Sequence, residues 1–360
     1  MPCWPMAACP CRCWSSKSTT LSPPPKRPEP SPGPLAPAFL SDRMHTPALN
    51  TSLTIPPALK ALYQRCELGS LATSPGVDIA WLALEHPSPK GSIVFSNGRV
   101  EAFLKYLELY QDFYDAGYSV YALDHRGQGL SSRLTPNRHM GHVAHFSDYV
   151  TDFNHFIDQV VRPRAKAPLF LAGHSMGGAI GTLYLQAHSG LFSAACFSAP
   201  MYGICLPMNK VFVRWLAQKL DASAKGLPNY ILGGKDYHPA PFAKNDLTKS
   251  EARYQAYREL YEQNPQLQLG SPTNRWLLEA LDACDEAVLA ARESKIPLLV
   301  LQASEDTIVD NKAQNRAMGG LCECLQINDA RHEILMECDG PRTKAIEAML
   351  GFFASHAKQR

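Results

Sequence analysis

The chain has 360 residues, of which 45% are hydrophobic and 19% charged, and a formal net charge of +2. That length accommodates one large α/β domain with an insertion or two small domains, and the near-neutral charge without a dominant basic run excludes a dedicated nucleic-acid binder. No apolar stretch reaches the ~20 residues of a membrane-spanning helix, and the start MPCWPMAACPCRCW, broken by proline and cysteine, lacks the apolar core of a secretory signal.

Residues 1–50 read as a disordered tail. Its Cys3, Cys9, Cys11 and Cys13 have no histidine or second cysteine cluster at zinc-site spacing. The segment LSPPPKRPEPSPGPLAP that follows is extended by composition. Met44 stands just after it, and a start assigned too far upstream explains the tail. The other seven cysteines are scattered among apolar segments, which predicts buried free thiols and a reducing compartment. The expected location is therefore cytoplasmic.

From about residue 76 the elements alternate. VDIAWLAL (77–84) and GSIVFSNG (91–98) predict strands. In EAFLKYLELYQDFYDAG, Phe103, Leu107, Tyr110 and Tyr114 recur at helical spacing, and Gly117 closes the helix. YSVYALD is a strand followed by the glycine-rich loop DHRGQGLSS. FSDYVTDFNHFIDQVV is a helix with Ser147 as cap and Tyr149, Phe153, Phe156 and Val160 on one face. APLFLAG is a strand and MGGAIGTLYLQAH a helix. AACFSAP, IPLLVLQAS and CECLQIND are further strands, and Cys322 and Cys324 on the last of them predict core. DGPRTKAIEAMLGFFASH is the last helix, with Asp339 as cap and Pro341 in its first turn.

This alternation, with strands apolar throughout, implies a mostly parallel sheet buried on both faces by flanking helices. Roughly ninety residues between AACFSAP and IPLLVLQAS break the rhythm, longer than an ordinary connection. They hold three helical patterns and read as an inserted cap. The expected division is an α/β core of residues 51–204 and 291–360 with a helical cap over 205–290. In that cap Tyr254, Tyr257 and Tyr261 share a helix face, and Lys244, Lys249, Arg253 and Arg258 read as a solvated charged face.

LFLAGHSMGGAIG (169–181) places Ser175 in a G-x-S-x-G pattern between a strand and a helix, the context that gives this motif chemical meaning. A sharp strand-to-helix turn crowds the positions two residues away, so Gly173 and Gly177 remove side chains that would collide. The hydroxyl then stands near a helix N-terminus that favours negative charge. A serine hydroxyl needs a base, and on such a sheet the order is serine, acid, histidine. His332 in NDARHEIL, before the last helix, supplies the base. IPLLVLQASEDTIVD offers Glu305, Asp306 and Asp310 for the acid, with Asp310 also placed to cap a following helix.

FSNGRVEAFLKY, ALDHRGQGLSSR, RHMGHVAHFSDYVTDF, LAGHSMGG, SPTNRWLLEAL, LQASEDTIVD and ARHEIL together resemble the α/β-hydrolase superfamily, and within it the lysophospholipase L2 and monoacylglycerol lipase group. The likeness runs from about Pro57 to the C-terminus. It implies the α/β-hydrolase fold, with Ser175 as nucleophile, His332 as base and Asp306 as acid. It also implies an oxyanion hole from the backbone amides of Met176 and Arg99, the latter in an Asn97-Gly98-Arg99 loop where many relatives carry His-Gly. The implied activity is hydrolysis of the fatty acyl ester of lysophospholipids, with monoacylglycerol lipase or a general carboxylesterase or transacylase as alternatives. A non-catalytic hydrolase-fold lipid-binding protein is the alternative of another class. The chemistry needs no metal or organic cofactor, and a lipid substrate implies transient contact with a membrane surface. His139, His142 and His145 lack partners at metal-ligand spacing, and DHRGQG lacks the phosphate-loop pattern and reads as a turn packed beside the oxyanion loop.

Overall fold

The computed structural model describes residues 52–357; the proline- and cysteine-rich tail and Met44 lie outside the described residues. After a 3₁₀ turn, helix α1 (Lys60–Tyr63) leads into strands β1 (Glu67–Ser74), β2 (Val77–Leu84) and β3 (Gly91–Ser96). Helix α2 (Leu107–Asp115), strand β4 (Tyr118–Leu123), helix α3 (Ser147–Phe156), strand β5 (Leu169–His174), helix α4 (Met176–Ala187) and strand β6 (Ala194–Ser198) follow. Three helices come next: α5 (Lys210–Ser223), α6 (Glu251–Gln263) and α7 (Asn274–Arg292). Strand β7 (Leu298–Ala303), helix α8 (Asn311–Arg316), strand β8 (Cys322–Ile327) and helix α9 (Asp339–Ser355) complete the described chain.

The eight strands form one sheet in the order β1-β2-β4-β3-β5-β6-β7-β8. β2 pairs antiparallel with β1 and β4, and the pairs from β4 through β3 to β8 are parallel. The expected mostly parallel sheet is therefore present. β3, β5, β6 and β7 are buried at every residue, as strands covered on both faces must be. Helices α2, α3, α4 and α9 supply the cover; on α9, Phe353 stacks on Phe170 of β5 with ring centroids 4.7 Å apart. The register brings Ser96 of β3 beside Gly173 of β5, and His174 of β5 beside Ser198 of β6. Ala303 of β7 lies beside Ile327 of β8. The carboxyl ends of these strands are thus aligned along one edge, where ligand sites of parallel sheets form.

Several local expectations need correction. β1 was not visible in the sequence: ELGSLATS alternates weakly, and its pairing with β2 makes it a strand. The helical pattern from Phe103 opens as a 3₁₀ turn, Phe103–Tyr106, before α2. Ser147 is the first residue of α3 and caps nothing; Phe146 precedes it. Asp339 likewise lies in the first turn of α9 behind Cys338, where its charge suits the helix dipole. Of the seven cysteines, all free, Cys196, Cys284 and Cys322 are buried but Cys205, Cys324 and Cys338 are exposed. Cys324 is not core because β8 is the sheet edge, with its central residues uncovered.

The long interval before β7 carries α5, α6 and α7. α5 is amphipathic and capped by the Asn209 side chain, which accepts from the Val211 amide at 2.8 Å. Lys210 and Arg214 on α5 reach Asp285 and Asp282 on α7 at 2.7 and 2.6 Å. α6 turns Tyr254, Tyr257, Leu260 and Tyr261 inward. These helices stand over the carboxyl edge of the sheet, since residues of all three line the cavity above Ser175.

Candidate active site

β5 stops at His174 and α4 starts at Met176, so Ser175 alone makes the turn, at φ 51° and ψ −119°. A non-glycine residue in that region is strained by roughly 1–3 kcal/mol and is held there by its surroundings. The surroundings are tight. A Cβ on Gly177 would lie 2.1 Å from the Ser96 carbonyl oxygen and 2.4 Å from that of Asn97; one on Gly173 would lie 3.0 Å from the former. The crowding that the two glycines imply is thus a close approach of β3 to the turn. The Ser175 amide donates to the Ser198 carbonyl and its own carbonyl accepts from the Met201 amide, which pins the turn to β6.

Ser175 Oγ lies 3.0 Å from His332 Nε2, and His332 Nδ1 lies 2.8 Å from Asp306 Oδ2. A carboxylate beside Nδ1 keeps the proton on that nitrogen, so the Nε2 lone pair faces the hydroxyl, which donates to it. The other carboxylate oxygen of Asp306 accepts from the Ile308 and Val309 amides at 2.8 and 3.0 Å. Burial resists charge on Asp306, but its bond to His332 and these amides hold its carboxyl below the usual range. Geometry separates the three candidate acids: Asp306 contacts His332, and the other two do not. Asp310 caps α8, accepting from the Lys312 amide at 2.9 Å, and Glu305 pairs with Lys249 at 2.6 Å.

The Arg99 and Met176 amides sit on either side of the serine in chain terms. Met176 opens α4, where the helix offers its amide no carbonyl one turn back. In the loop after β3, the Gly98 amide is already bonded to Glu101 Oε2 at 2.5 Å. The loop is braced from below by the DHRGQG turn, as expected. Asp124 accepts from Asn97 Nδ2 and from the Phe103 and Leu130 amides, and Gln128 donates to the Gly98 and Glu101 carbonyls. Burial pushes the Asp124 carboxyl up to about 7 against these hydrogen bonds. The Arg99 side chain covers the Trp276 ring at 5.1 Å and donates to the Gly270 carbonyl at 2.7 Å. Burial lowers its guanidinium to about 10.

Sequence reasoning missed a buried ionic cluster behind the site. Glu101, Lys105 and Glu333 are all at most 6% exposed. Lys105 Nζ donates to Glu101 Oε1 at 2.8 Å and to Glu333 Oε1 at 2.6 Å, and the Tyr106 hydroxyl donates to Glu101 at 2.8 Å. Burial opposes the Glu101 charge, but Lys105, His174 and the hydrogen bonds outweigh it and hold the carboxyl at about 2. For Glu333 burial prevails over Lys105, and its carboxyl is raised. The cluster ties the loop after β3, through Gly98 and Glu101, to the residue after His332. His174 beside it is held neutral: burial lowers its ring to about 3, and Nδ1 donates to the Ser198 carbonyl at 3.1 Å. The one sequence signal was the i, i+4 spacing of Glu101 and Lys105.

Above Ser175 lies a cavity of about 640 Å³. Val213, Leu216, Ala217 and Leu220 of α5 line one part, and Lys105, Tyr257, Arg258 and Glu333 another. Tyr257 and Tyr261 are both buried and cavity-lining, while the Tyr254 ring packs edge-on against Tyr257. Of the four cationic residues read as a solvated face, Lys244 is exposed and Lys249 pairs with Glu305, but the two on α6 are engaged. Arg253 pairs with Glu108 and Asp339, and Arg258 lies among tyrosine rings. His142, on the histidine-rich loop, faces Thr273 Oγ1 at 3.0 Å.

The family model described as serine aminopeptidase, S33, matches residues 87–339. Lysophospholipase L2 of Escherichia coli is 38% identical over 273 residues, spanning 73% of this chain and 80% of that protein. A probable lysophospholipase L2 of Haemophilus influenzae is 34% identical over 264 residues, 72% of this chain and 82% of that one. Among solved structures, a soluble variant of the Saccharomyces cerevisiae monoglyceride lipase bound to a substrate analogue superposes with a TM-score of 0.66 at 20% identity. It covers 81% of this chain and 96% of its own, a likeness of fold.

Proposed function

This chain belongs to the serine aminopeptidase S33 family of α/β-hydrolases and is an ester-hydrolysing serine hydrolase of that group, and from that membership we propose that it is a lysophospholipase working through Ser175, His332 and Asp306. The observation that carries the reading is the pair of contacts at 3.0 and 2.8 Å joining the three side chains in a buried site under a lipid-sized cavity.

In the proposed cycle Ser175 Oγ attacks the acyl carbonyl while its proton passes to His332 Nε2. Asp306 holds the imidazole and stabilises its cation. The carbonyl oxygen becomes an anion between the Arg99 and Met176 amides, each worth ~3–4 kcal/mol to the transition state. The carbon–oxygen bond to glycerol breaks, and the departing oxygen takes the proton from His332. Water then attacks the acyl-enzyme, yields its proton to His332, and releases the fatty acid as Ser175 recovers its hydrogen. An alcohol in place of water gives transacylation by the same steps.

Residues 205–290 are assigned the role of cap, controlling access and holding the substrate. α5 supports a further role. Its inner side lines the cavity, whereas Val211 and Trp215 on its outer side are 75% and 50% exposed. Phe212, Met208, Leu227 and Leu232 extend the exposed apolar surface, the kind of face that lies in a lipid interface. No helix among the described residues is long and apolar enough to cross a membrane, so the proposed contact is peripheral.

Fluorophosphonate labelling tests the chemistry: covalent capture at Ser175, abolished in Ser175→Ala, is expected, and an unlabelled wild-type protein at neutral pH rejects it. Parallel hydrolysis of lysophosphatidylcholine, lysophosphatidylethanolamine and monoolein tests the substrate. Preference for monoolein replaces the lysophospholipase reading with that of a monoacylglycerol lipase.

A further inference from the structure

We propose that Arg258 is the phosphate-binding residue of this site, gripping the phosphodiester of a lysophospholipid head group and giving the enzyme its choice against neutral monoacylglycerols. The inference deepens the proposed function and rests on it. Three cationic arginine or lysine side chains line the cavity: Arg99, Lys105 and Arg258. Two are already committed. Lys105 is held between two carboxylates, and Arg99 bonds the Gly270 carbonyl while covering Trp276.

Arg258 has no carboxylate within ion-pair distance among the described residues. Its guanidinium lies 4.9 Å from the Tyr254 ring centroid, 5.1 Å from that of Tyr257 and 6.0 Å from that of Tyr237. Its Nε is buried without a hydrogen-bond partner. Ring faces attract a cation, and the Tyr237 and Tyr254 hydroxyls also interact with the guanidinium, but neither supplies the paired anionic oxygens that its planar fork of N–H groups suits. A guanidinium fixed by three rings, half-buried on a cavity wall and lacking an anion, is pre-organised for a ligand that brings one. Arginine pairs with phosphate oxygens through two parallel hydrogen bonds, which a glycerol hydroxyl cannot reproduce.

The placement fits the reaction. The leaving alcohol takes its proton from His332, so the head group departs on the histidine side. Glu333 follows His332 directly and bonds Lys105. Lys105 Nζ lies 4.6 Å from the centroid of the Tyr257 ring, the same ring that carries Arg258. The polar end of the cavity is therefore next to the base. Val213, Leu216, Ala217 and Leu220 of α5 give the cavity an apolar wall that suits the acyl chain. Glu333 Oε2, buried and unpartnered, belongs to the polar group around Lys105. Lys105 is shared between Glu333 and Glu101, but with Arg99 and Arg258 the cavity wall carries three cationic side chains against these two carboxylates, so an incoming phosphate meets a wall of net positive charge.

The test is the ratio of kcat/KM for lysophosphatidylethanolamine to that for the monoacylglycerol of the same chain length, measured in wild type, Arg258→Met and Arg258→Lys. Methionine keeps the stem packed on the tyrosines and removes the charge. The ratio is expected to exceed one in wild type and to fall about 10- to 100-fold in Arg258→Met, the loss of a charge-assisted pair. Lysine, which keeps the charge but not the fork, is expected to fall between. sn-Glycero-3-phosphoethanolamine, which carries no acyl chain, is expected to inhibit wild type more strongly than free glycerol does. A variant ratio within threefold of wild type, or equal inhibition by the two compounds, overturns the assignment. Because the inhibition arm uses wild type, it decides even where a variant fails to fold. Hydrolysis of lysophospholipid with an unchanged ratio sinks only the role of Arg258; absence of lysophospholipid hydrolysis sinks the substrate reading beneath it.

Discussion

Replacing Lys105 by methionine isolates the contribution of the buried ionic cluster. The substitution conserves length and apolar stem but leaves Glu101 and Glu333, at most 6% exposed, without the ammonium that contacts both at 2.8 and 2.6 Å. Removing one partner of a buried ion pair costs about 3–5 kcal/mol, because the remaining charge is stranded in low dielectric. Large chains shift their melting point by ~2 °C per kcal/mol, which gives an expected fall of roughly 6–10 °C at pH 8. The sign with pH follows from the carboxyls. In wild type Glu101 is held at about 2, so its stabilising share is present above the ordinary carboxylate range and is lost only as pH falls toward 2. In the variant both carboxyls are pushed above their unfolded values by burial alone. They then bind protons in the folded state, and stability is lost as pH rises through their range. Differential scanning fluorimetry at pH 5 and pH 8 is the assay. The variant is expected to lie closer to wild type at pH 5. A loss under 2 °C at pH 8, or an equal loss at both, refutes the reasoning. Adding Glu333→Gln to Lys105→Met is expected to recover part of the difference by removing one stranded charge.

Ser175→Ala is expected to lower kcat by on the order of a million-fold while the melting temperature is maintained or raised, since alanine keeps the fold without forming the nucleophile; turnover within a hundredfold of wild type refutes it. Asp306→Asn is expected to cost about 10⁴-fold in kcat, whereas Asp310→Asn, touching only the α8 cap, stays within a few-fold; reversal of that order by steady-state kinetics transfers the acid role. Gly177→Ala, with a Cβ 2.1 Å from the Ser96 carbonyl, is expected to abolish soluble expression or lower stability by at least ~1–3 kcal/mol, and a wild-type melt contradicts the crowding argument. Serine at both Val211 and Trp215 is expected to weaken co-sedimentation with phospholipid vesicles about tenfold, and undiminished sedimentation removes α5 as the interfacial element.

What the sequence made legible was whatever its own neighbours determine. β3, β5 and β7 are apolar runs stopped by turn residues, and the run itself states that both faces are covered. Ser175 was legible because strand, glycines and helix surround it within thirteen residues. His332 followed from chain order, since the end of β8 returns to the same edge of the sheet as the end of β5. Asp306 was ambiguous by residue type alone and became distinct only where Ile308 and Val309 amides, His332 and the α8 cap divide the three acids among three partners. Lys105 was illegible for the opposite reason. In EAFLKY it reads as the solvent-facing residue of an amphipathic turn, and its second partner, Glu333, lies 228 residues away. Arg258 likewise reads as a surface charge until Tyr237, from a separate loop, joins Tyr254 and Tyr257 around it.

The same distinction separates chemistry from selectivity in the folded molecule. Ser175, Asp306 and His332 stand beyond the ends of β5, β7 and β8, whose register is set by hydrogen bonds running through a two-sided core. Ser175 follows β5 directly, and the loops after β7 and β8 are held in place by the Ile308 and Val309 amides on Asp306 and by the contacts of His332 with Asp306 and Ser175. The groups proposed to meet the acyl chain and head group sit instead on α5 and α6, whose ion pairs run to neighbouring helices, Lys210 to Asp285 of α7 and Arg253 to Glu108 of α2, both at 2.7 Å. Exposed and half-exposed ion pairs of this kind hold ~0–1 kcal/mol each, far less than the apolar sheet core. Side chains on α5 and α6 can therefore be exchanged, and substrate preference redirected, at little cost to the fold. The exceptions are the residues through which these helices grip the catalytic edge. Tyr261 is one, its hydroxyl accepting from the Ala102 amide at 3.1 Å and donating to the Val100 carbonyl at 3.2 Å. Through that ring the position of α6 and the shape of the loop after β3 are linked, so in the proposed mechanism a substrate that displaces α6 also alters the amides assigned to its own carbonyl.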